Sequence, residues 1–377
     1  MPDQPVLGPR ALGRATLARQ LLLSRAELGA VPAVELLVGM QAQAPYAPYF
    51  GLWTRLRDFR TEHLADALNE RRLLRIGLMR STVHLVTPHD SRALRPWVQP
   101  ALDRELDTAF RQATEGLDRA TVAAAGRELL AAEALTTKEL GERLHKLWPN
   151  RDPRALTYVV RNLVPLVQVP PRAIWGVGGT TRYATADSWA GPGPDPDALP
   201  TPETLVLRYL AAFGPASVQD VQTWAGLVRL RPLLERLRPQ LRTFRTEGGR
   251  ELFDLPDAPR PDPDTPAPVR FLPEYDNLLA SHADRTRVIS DEDRRLVMTR
   301  NGMRPTFMVD GAVRGAWKLT RQRSTATLLV DPFRPLNRAE RSAVSAEAAR
   351  LLAFAEPDAD HDVRLSTSTP TSTGSAP

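Results

Sequence analysis

Apolar residues recur along this chain with two distinct periods. In ETLVLRYLAAFG (203–214) they return every three or four positions, which predicts an amphipathic helix with Gly214 at its C-cap. PASVQDVQTWAG follows, with Ser217 as N-cap and Asp220 in the first turn. LVRLRPLLERLRPQL reads as a third helix, with Pro232 near its start. LRTFRTEGGRELFDL then alternates around Gly248-Gly249, the pattern of a hairpin. Three helices and a two-stranded wing make a winged helix-turn-helix.

The same order recurs in residues 119–185. ATVAAAGRELLAAEA is one helix, and TTKELGERLHKL is a second, capped by Thr136 or Thr137. RDPRALTYVVRNLV is the third, followed by the wing LVQVPPRAIWGVGGTTRYATA. A looser copy spans residues 11–87: ALGRATLARQLLLS, VPAVELLVGM and TEHLADALNERRLL, then the extended IGLMRSTVHLVT. Three copies in series predict a tandem array. Residues 269–334 alternate instead, with hairpin turns at Asn301-Gly302 and Asp310-Gly311. They predict an antiparallel β-barrel, closed by a helix over 337–355.

The expected fold class is therefore α+β: tandem winged helix-turn-helix modules with a C-terminal antiparallel β-barrel. The first module spans residues 1–118, the second 119–190 and the third 203–255. The barrel with its closing helix takes 269–360, and 361–377 is expected to be a disordered tail. Two Pro-rich stretches, GPGPDPDALPTP (191–202) and PDAPRPDPDTPAP (256–268), read as linkers because proline removes backbone donors.

Composition narrows the chemistry. With 42% apolar residues over 377 positions the chain can bury real cores. The absence of cysteine excludes disulfides, zinc fingers, iron–sulfur clusters and a Cys nucleophile. No His pair shows metal-binding spacing, so no metal is expected. The N-terminus has no apolar signal segment, and no apolar run approaches the ~20 residues a bilayer crossing needs, so the expected location is cytoplasmic with no membrane partner. The net charge of +6 invites a nucleic-acid reading. Only Lys138, Lys146 and Lys318 of the 50 basic residues are lysines, so the Arg surplus is partly compositional.

Candidate chemistry concentrates in GMQAQAPYAPYFGLWTRL (39–56). Gln41 and Gln43 flank Ala42 past a helix end and ahead of a Pro/Tyr-rich turn. Spacing alone allows two readings: the amides cap the last carbonyls of that helix, or they hold a water beside the aromatic faces of Tyr46, Tyr49, Phe50 and Trp53. Arg80, Thr82 and His84 alternate on one expected strand, either facing DNA or forming a half-solvated wing. Arg300, Arg304 and Arg314 flank the two hairpin turns and either contact phosphates or face solvent. Asp90 reads as the N-cap of the helix that follows it.

Gln-Ala-Gln in LLVGMQAQAP resembles the Gln-Φ-Gln motif of the AlkZ-like DNA glycosylases, a winged-helix family known for self-resistance of Streptomyces to DNA-alkylating antibiotics such as azinomycin. LMRSTVHLVTPHD (78–90), RNLVPLVQVPPRAIWG (161–176), LPEYDNLLASH (272–282) and PTFMVDGAVRGAWKL (305–319) are similar to the same family in the same order. The resemblance implies a monofunctional glycosylase that needs no cofactor. The implied substrate is double-stranded DNA containing alkylated purines, with release of N7-alkylguanine, unhooking of interstrand crosslinks and Gln41 and Gln43 as the catalytic pair. Three modules in one chain with no evident dimerisation helix point to a monomer. Ala42 is smaller than the family's usual middle residue, and the Gln-Φ-Asp branch carries a carboxylate where this chain has Gln43. The rival readings are a winged-helix transcription regulator and a protein that sequesters the alkylator itself.

Overall fold

The computed structural model describes residues 4–193, 195, 198–300 and 302–366. The chain is a mixed α+β protein. Residues 119–185 run as helices Arg119–Ala132, Thr137–Leu147 and Pro153–Leu163, then strands Leu166–Val169 and Arg182–Thr185. The third helix buries Ala155, Leu156, Val159 and Val160, two adjacent rows one turn apart. Thr136 caps the second helix, and Glu139 returns the bond to the cap's own N–H. Residues 202–254 repeat the order with helices Pro202–Phe213, Val218–Ala225 and Arg231–Leu237 and strands Arg242–Thr246 and Glu251–Asp254. Ser217 and Gly214 cap as expected.

The N-terminal stretch differs from its expected form by one helix. Helices Pro9–Arg19, Ala30–Leu36 and Thr61–Asn69 and strands Leu74–Gly77 and Val83–Val86 match the pattern, but Ala47–Arg55 is also helical. The Pro/Tyr-rich turn read from sequence is present at Pro45-Tyr46, but it leads straight into a helix that takes in Pro48 and Tyr49. Pro48 sits in its first turn, where no intrahelical donor is lost. Tyr49, Leu52 and Trp53 bury one face of it. Thr87, not Asp90, caps the long helix Pro88–Ala109, and Asp90 instead pairs with Arg208 at 2.5 Å.

Strand pairing ties these stretches together. One six-stranded sheet runs Met40–Gln41, Val83–Val86, Leu74–Gly77, Leu166–Val169, Arg182–Thr185, Leu135–Thr136. The first and second hairpins meet in it where Ile76 pairs with Val167. Strand Val6–Leu7 pairs in parallel with Arg242–Thr246, so the N-terminus completes the distant third hairpin.

The C-terminal sheet is open, which corrects the expected barrel. Its five strands run Arg270–Leu272, Thr306–Val309, Ala312–Gln322, Thr325–Pro332, Asp360–Leu365, and its two edges do not pair. The last strand is parallel to its neighbour and needs a crossover, which the helix Arg338–Ala355 supplies. That helix packs Val344, Ala348, Leu351 and Leu352 with Phe271, Trp317 and Leu328, covering the face that a barrel would have curled around. Asp360–Leu365 therefore belongs to the sheet rather than to a tail. Residues 367–377, where the tail was expected, lie outside the described residues, as does Asn301 of the Asn301-Gly302 turn. The Asp310-Gly311 turn joins its two strands as expected. Among the described residues no helix is long and apolar enough to cross a membrane.

Candidate active site

The bend that carries the two glutamines is shaped by its backbone. Helix Ala30–Leu36 stops, and Val38 and Gly39 adopt left-handed φ values of 54° and 89°. A Cβ on Gly39 would come within 2.6 Å of Val86, so both the conformation and the space demand glycine. The chain then enters strand Met40–Gln41, with Gln41 opposite His84.

Neither glutamine caps the preceding helix. Gln41 is buried, and its Oε1 accepts from Arg80 Nη2 at 2.8 Å. Gln43 is exposed, and its Oε1 accepts from the Val83 N–H at 3.1 Å. Between them the Ala42 N–H donates to Val83 O at 2.7 Å, and Arg75 Nη2 donates to Ala42 O at 2.8 Å. Ala42 is fully buried, so a larger middle residue would have to displace its neighbours.

Arg80, Thr82 and His84 do not share one strand. The strand begins at Val83, and Arg80 lies in a one-turn segment, Met79–Ser81, with φ of 56°. Two of the three still meet. Arg80 turns inward, donating to Trp224 O at 2.6 Å and lying 3.5 Å from His84 Nε2. Gly226 makes room for it, since a Cβ there would sit 2.9 Å from the Arg80 nitrogen. Thr82 donates its hydroxyl to Met79 O, and its carbonyl meets His84 Nδ1 at 3.0 Å. Burial, reinforced by the Arg80 charge, pushes the His84 imidazole down to about 3. It is neutral at physiological pH. Burial, reinforced by the charge of Arg285, pushes the Arg80 guanidinium down to about 10, which leaves it cationic.

The hairpin arginines lie elsewhere. Arg304 pairs with Asp331 at 2.9 Å and Arg314 with Glu340 at 3.2 Å, while Arg300 is exposed on its turn.

The sequence reading missed the clamp on this bend. Asn277 Oδ1 accepts from the Gln41 N–H at 3.2 Å, and Asn277 Nδ2 donates to Gly39 O at 2.7 Å. The preceding Asp276 makes a buried bidentate pair with Arg55, both contacts at 2.8 Å, which fastens helix Ala47–Arg55 to the same point. Both residues lie inside LPEYDNLLASH, and an Asp-Asn pair in the segment that follows an apolar strand was the available signal.

From Ala44 onward the bend opens onto a cleft of 1190 Å³. Tyr46, Phe50, Trp175, Trp317 and Phe354 wall it. Their rings touch in sequence, with Tyr46–Trp175, Phe50–Trp175 and Phe50–Trp317 centroids 5.3, 5.5 and 5.4 Å apart. Lys318 reaches this cleft too.

Repeated helix–hairpin units and a pair of fixed amides beside an aromatic cleft fit the class that the motif implied, a DNA glycosylase. The chain belongs to the DNA glycosylase AlkZ-like family, whose model matches residues 34–354. It is 25% identical over 359 residues to an interstrand DNA cross-link repair glycosylase of Streptomyces sahachiroi, covering 89% of this chain and 93% of that one. The solved structure of the Streptomyces sahachiroi DNA glycosylase AlkZ shares the fold, with a TM-score of 0.78 at 23% identity, covering 96% of this chain and all of that one.

Proposed function

We propose that this protein is a monofunctional DNA glycosylase that releases N7-alkylated guanine, working as a monomer whose three helix–hairpin units are winged helices gripping DNA. One observation carries the reading. Among the described residues the groups bonded to Gln41, Gln43, Arg80 and His84 include no carboxylate, and His84 stays neutral. Nothing there can donate a proton to a departing base at neutral pH. Such a site suits a base that already carries its positive charge, as N7-alkylguanine does. What remains is to orient water at the anomeric carbon and stabilise an oxocarbenium-like state.

The cleft supports bulky substituents over a simple methyl group. Its volume exceeds the roughly 300–1,000 Å³ that ordinarily holds a drug-sized ligand. Glu62, Glu274 and Asp358 on its walls have no ion-pair partner among the described residues, against the single unpaired cation Lys318. That balance favours a cationic aromatic adduct and disfavours phosphate. The crosslink-repair relative supports the same direction, including unhooking of interstrand crosslinks, and speaks against the regulator. The decisive experiment incubates the protein with duplexes containing N7-methylguanine, a bulky N7 adduct or undamaged guanine and measures free base by mass spectrometry. Release from the alkylated duplexes alone is expected; no release from either one refutes the assignment.

A further inference from the structure

Both glutamine carbonyls at the bend are already engaged. Arg80 Nη2 gives to Gln41 Oε1, and the Val83 N–H gives to Gln43 Oε1. A guanidinium and a backbone N–H are donors only, so neither amide can be turned over without setting NH2 against N–H. The two orientations are thus dictated by the partners. For Gln41, 7% exposed, this leaves Nε2 with two hydrogens and no acceptor among the described residues. The atom is not among the fully enclosed unpartnered ones, so solvent reaches it and a group brought from outside can take its hydrogens.

We infer that Gln41 acts on the substrate as a hydrogen-bond donor, giving Nε2–H to purine N3 beside the glycosidic bond, and that Arg80 is the positioning residue that aims it. This rests on the glycosylase reading and assigns the two amides different work. When the C1′–N9 bond breaks, its electron pair goes to the purine, cancelling the cationic charge and raising electron density on the ring nitrogens. A donor at N3 therefore binds more strongly in the transition state than in the ground state. Water adds its oxygen to C1′ and loses a proton to solvent. The exposed Gln43 can hold that water through the second lone pair of Oε1. Arg80 reaches Gln41 from a left-handed turn seated on Trp224 and Gly226, so the aim of the amide depends on a residue pair some 180 positions further along the chain.

Gln41→Glu separates donor from acceptor. The carboxylate keeps the contact with Arg80 as an ion pair, so the fold should hold, but it has no N–H. Its negative charge would if anything favour an oxocarbenium. Single-turnover release from N7-methylguanine DNA is expected to fall about 30- to 1000-fold, as in Gln41→Ala, with no recovery as pH rises. Arg80→Lys, which retains a donor, should stay within about tenfold of wild type, and Arg80→Met should approach Gln41→Ala. The same duplex carrying 3-deaza-7-methylguanine removes the acceptor, so there Gln41→Ala should slow release less than threefold relative to wild type. A Gln41→Glu enzyme as fast as wild type, or an undiminished Gln41→Ala penalty on the 3-deaza substrate, overturns the donor role and leaves the glycosylase standing. A wild-type protein that releases no base overturns both.

Discussion

Asn277 grips the Gln41 backbone through both ends of one amide, accepting from the Gln41 N–H and donating to the carbonyl of Gly39 two residues earlier. The two residues are 236 positions apart, yet this single side chain sets the path of the bend. Asn277→Leu keeps the volume and removes both bonds. It leaves a buried N–H and a buried carbonyl unpaired, at about 1–3 kcal/mol each. Base release is expected to fall at least tenfold beyond what the loss of folded protein explains, checked by thermal melts alongside single-turnover rates. Wild-type rates in a destabilised variant would show that the clamp serves stability alone.

Gln43→Ala should lower the rate of base release about ten- to a thousandfold, the range for a lost water-positioning group. Duplex affinity should barely move, because phosphate contacts supply most of it. Affinity measured at two salt concentrations and release from N7-methylguanine DNA test both halves.

His84 makes the fold sensitive to acid. Between about pH 6.5 and pH 3 the unfolded chain holds a proton on this residue and the folded chain does not. The stability present above pH 6.5 is therefore lost as pH falls, by about 2 kcal/mol at pH 5. His282, pushed down by burial and by the nearby Arg287 charge, acts in the same direction. Thermal melts between pH 7.5 and 5 should show a falling midpoint, and a flat profile would contradict the neutral imidazoles. Because His84 stays neutral throughout, the rate of base release should show no inflection near pH 6.5.

The product should be an intact abasic strand. Borohydride trapping is expected to yield no protein–DNA adduct, since a lyase would need an amine at the sugar. Lys318, on the cleft wall, is the lysine to watch. An adduct that disappears in Lys318→Arg would overturn the monofunctional reading.

Trp175 joins the Tyr46 and Phe50 sides of the cleft. Trp175→Ala should slow release of a polycyclic N7 adduct about tenfold or more, in line with one lost stacking platform. Release of N7-methylguanine should change less than threefold. Equal losses on both substrates would mean that the cleft does not hold the substituent.

Much of this architecture could be read from local patterns. Thr136, Ser217 and Gly214 mark helix ends because capping chemistry is local. Gly248-Gly249 marks a hairpin for the same reason. The helix Ala47–Arg55 is hidden in the pattern because Pro48 and Tyr49 continue the Pro45-Tyr46 turn in composition, and only burial of Tyr49 and Leu52 decides otherwise. Alternation reports strands but not how their edges meet, so the open sheet leaves no mark in the pattern. The Gln41-Ala42-Gln43 motif is visible in the sequence itself. Arg80 was placed on a strand face because its left-handed turn leaves no trace in the pattern, and Asn277 was missed because nothing local links it to residue 41.

That distance has a consequence during synthesis. The bend is held by residues 80, 83 and 277, and Arg80 is seated on residues 224 and 226. A ribosome that has delivered the first two hundred residues has released both glutamines but none of the late contacts that fix them. Domains fold as units as they emerge, and this unit closes only once the 277 segment is free. A chain that stops short of residue 277 therefore lacks the side chain that clamps the bend.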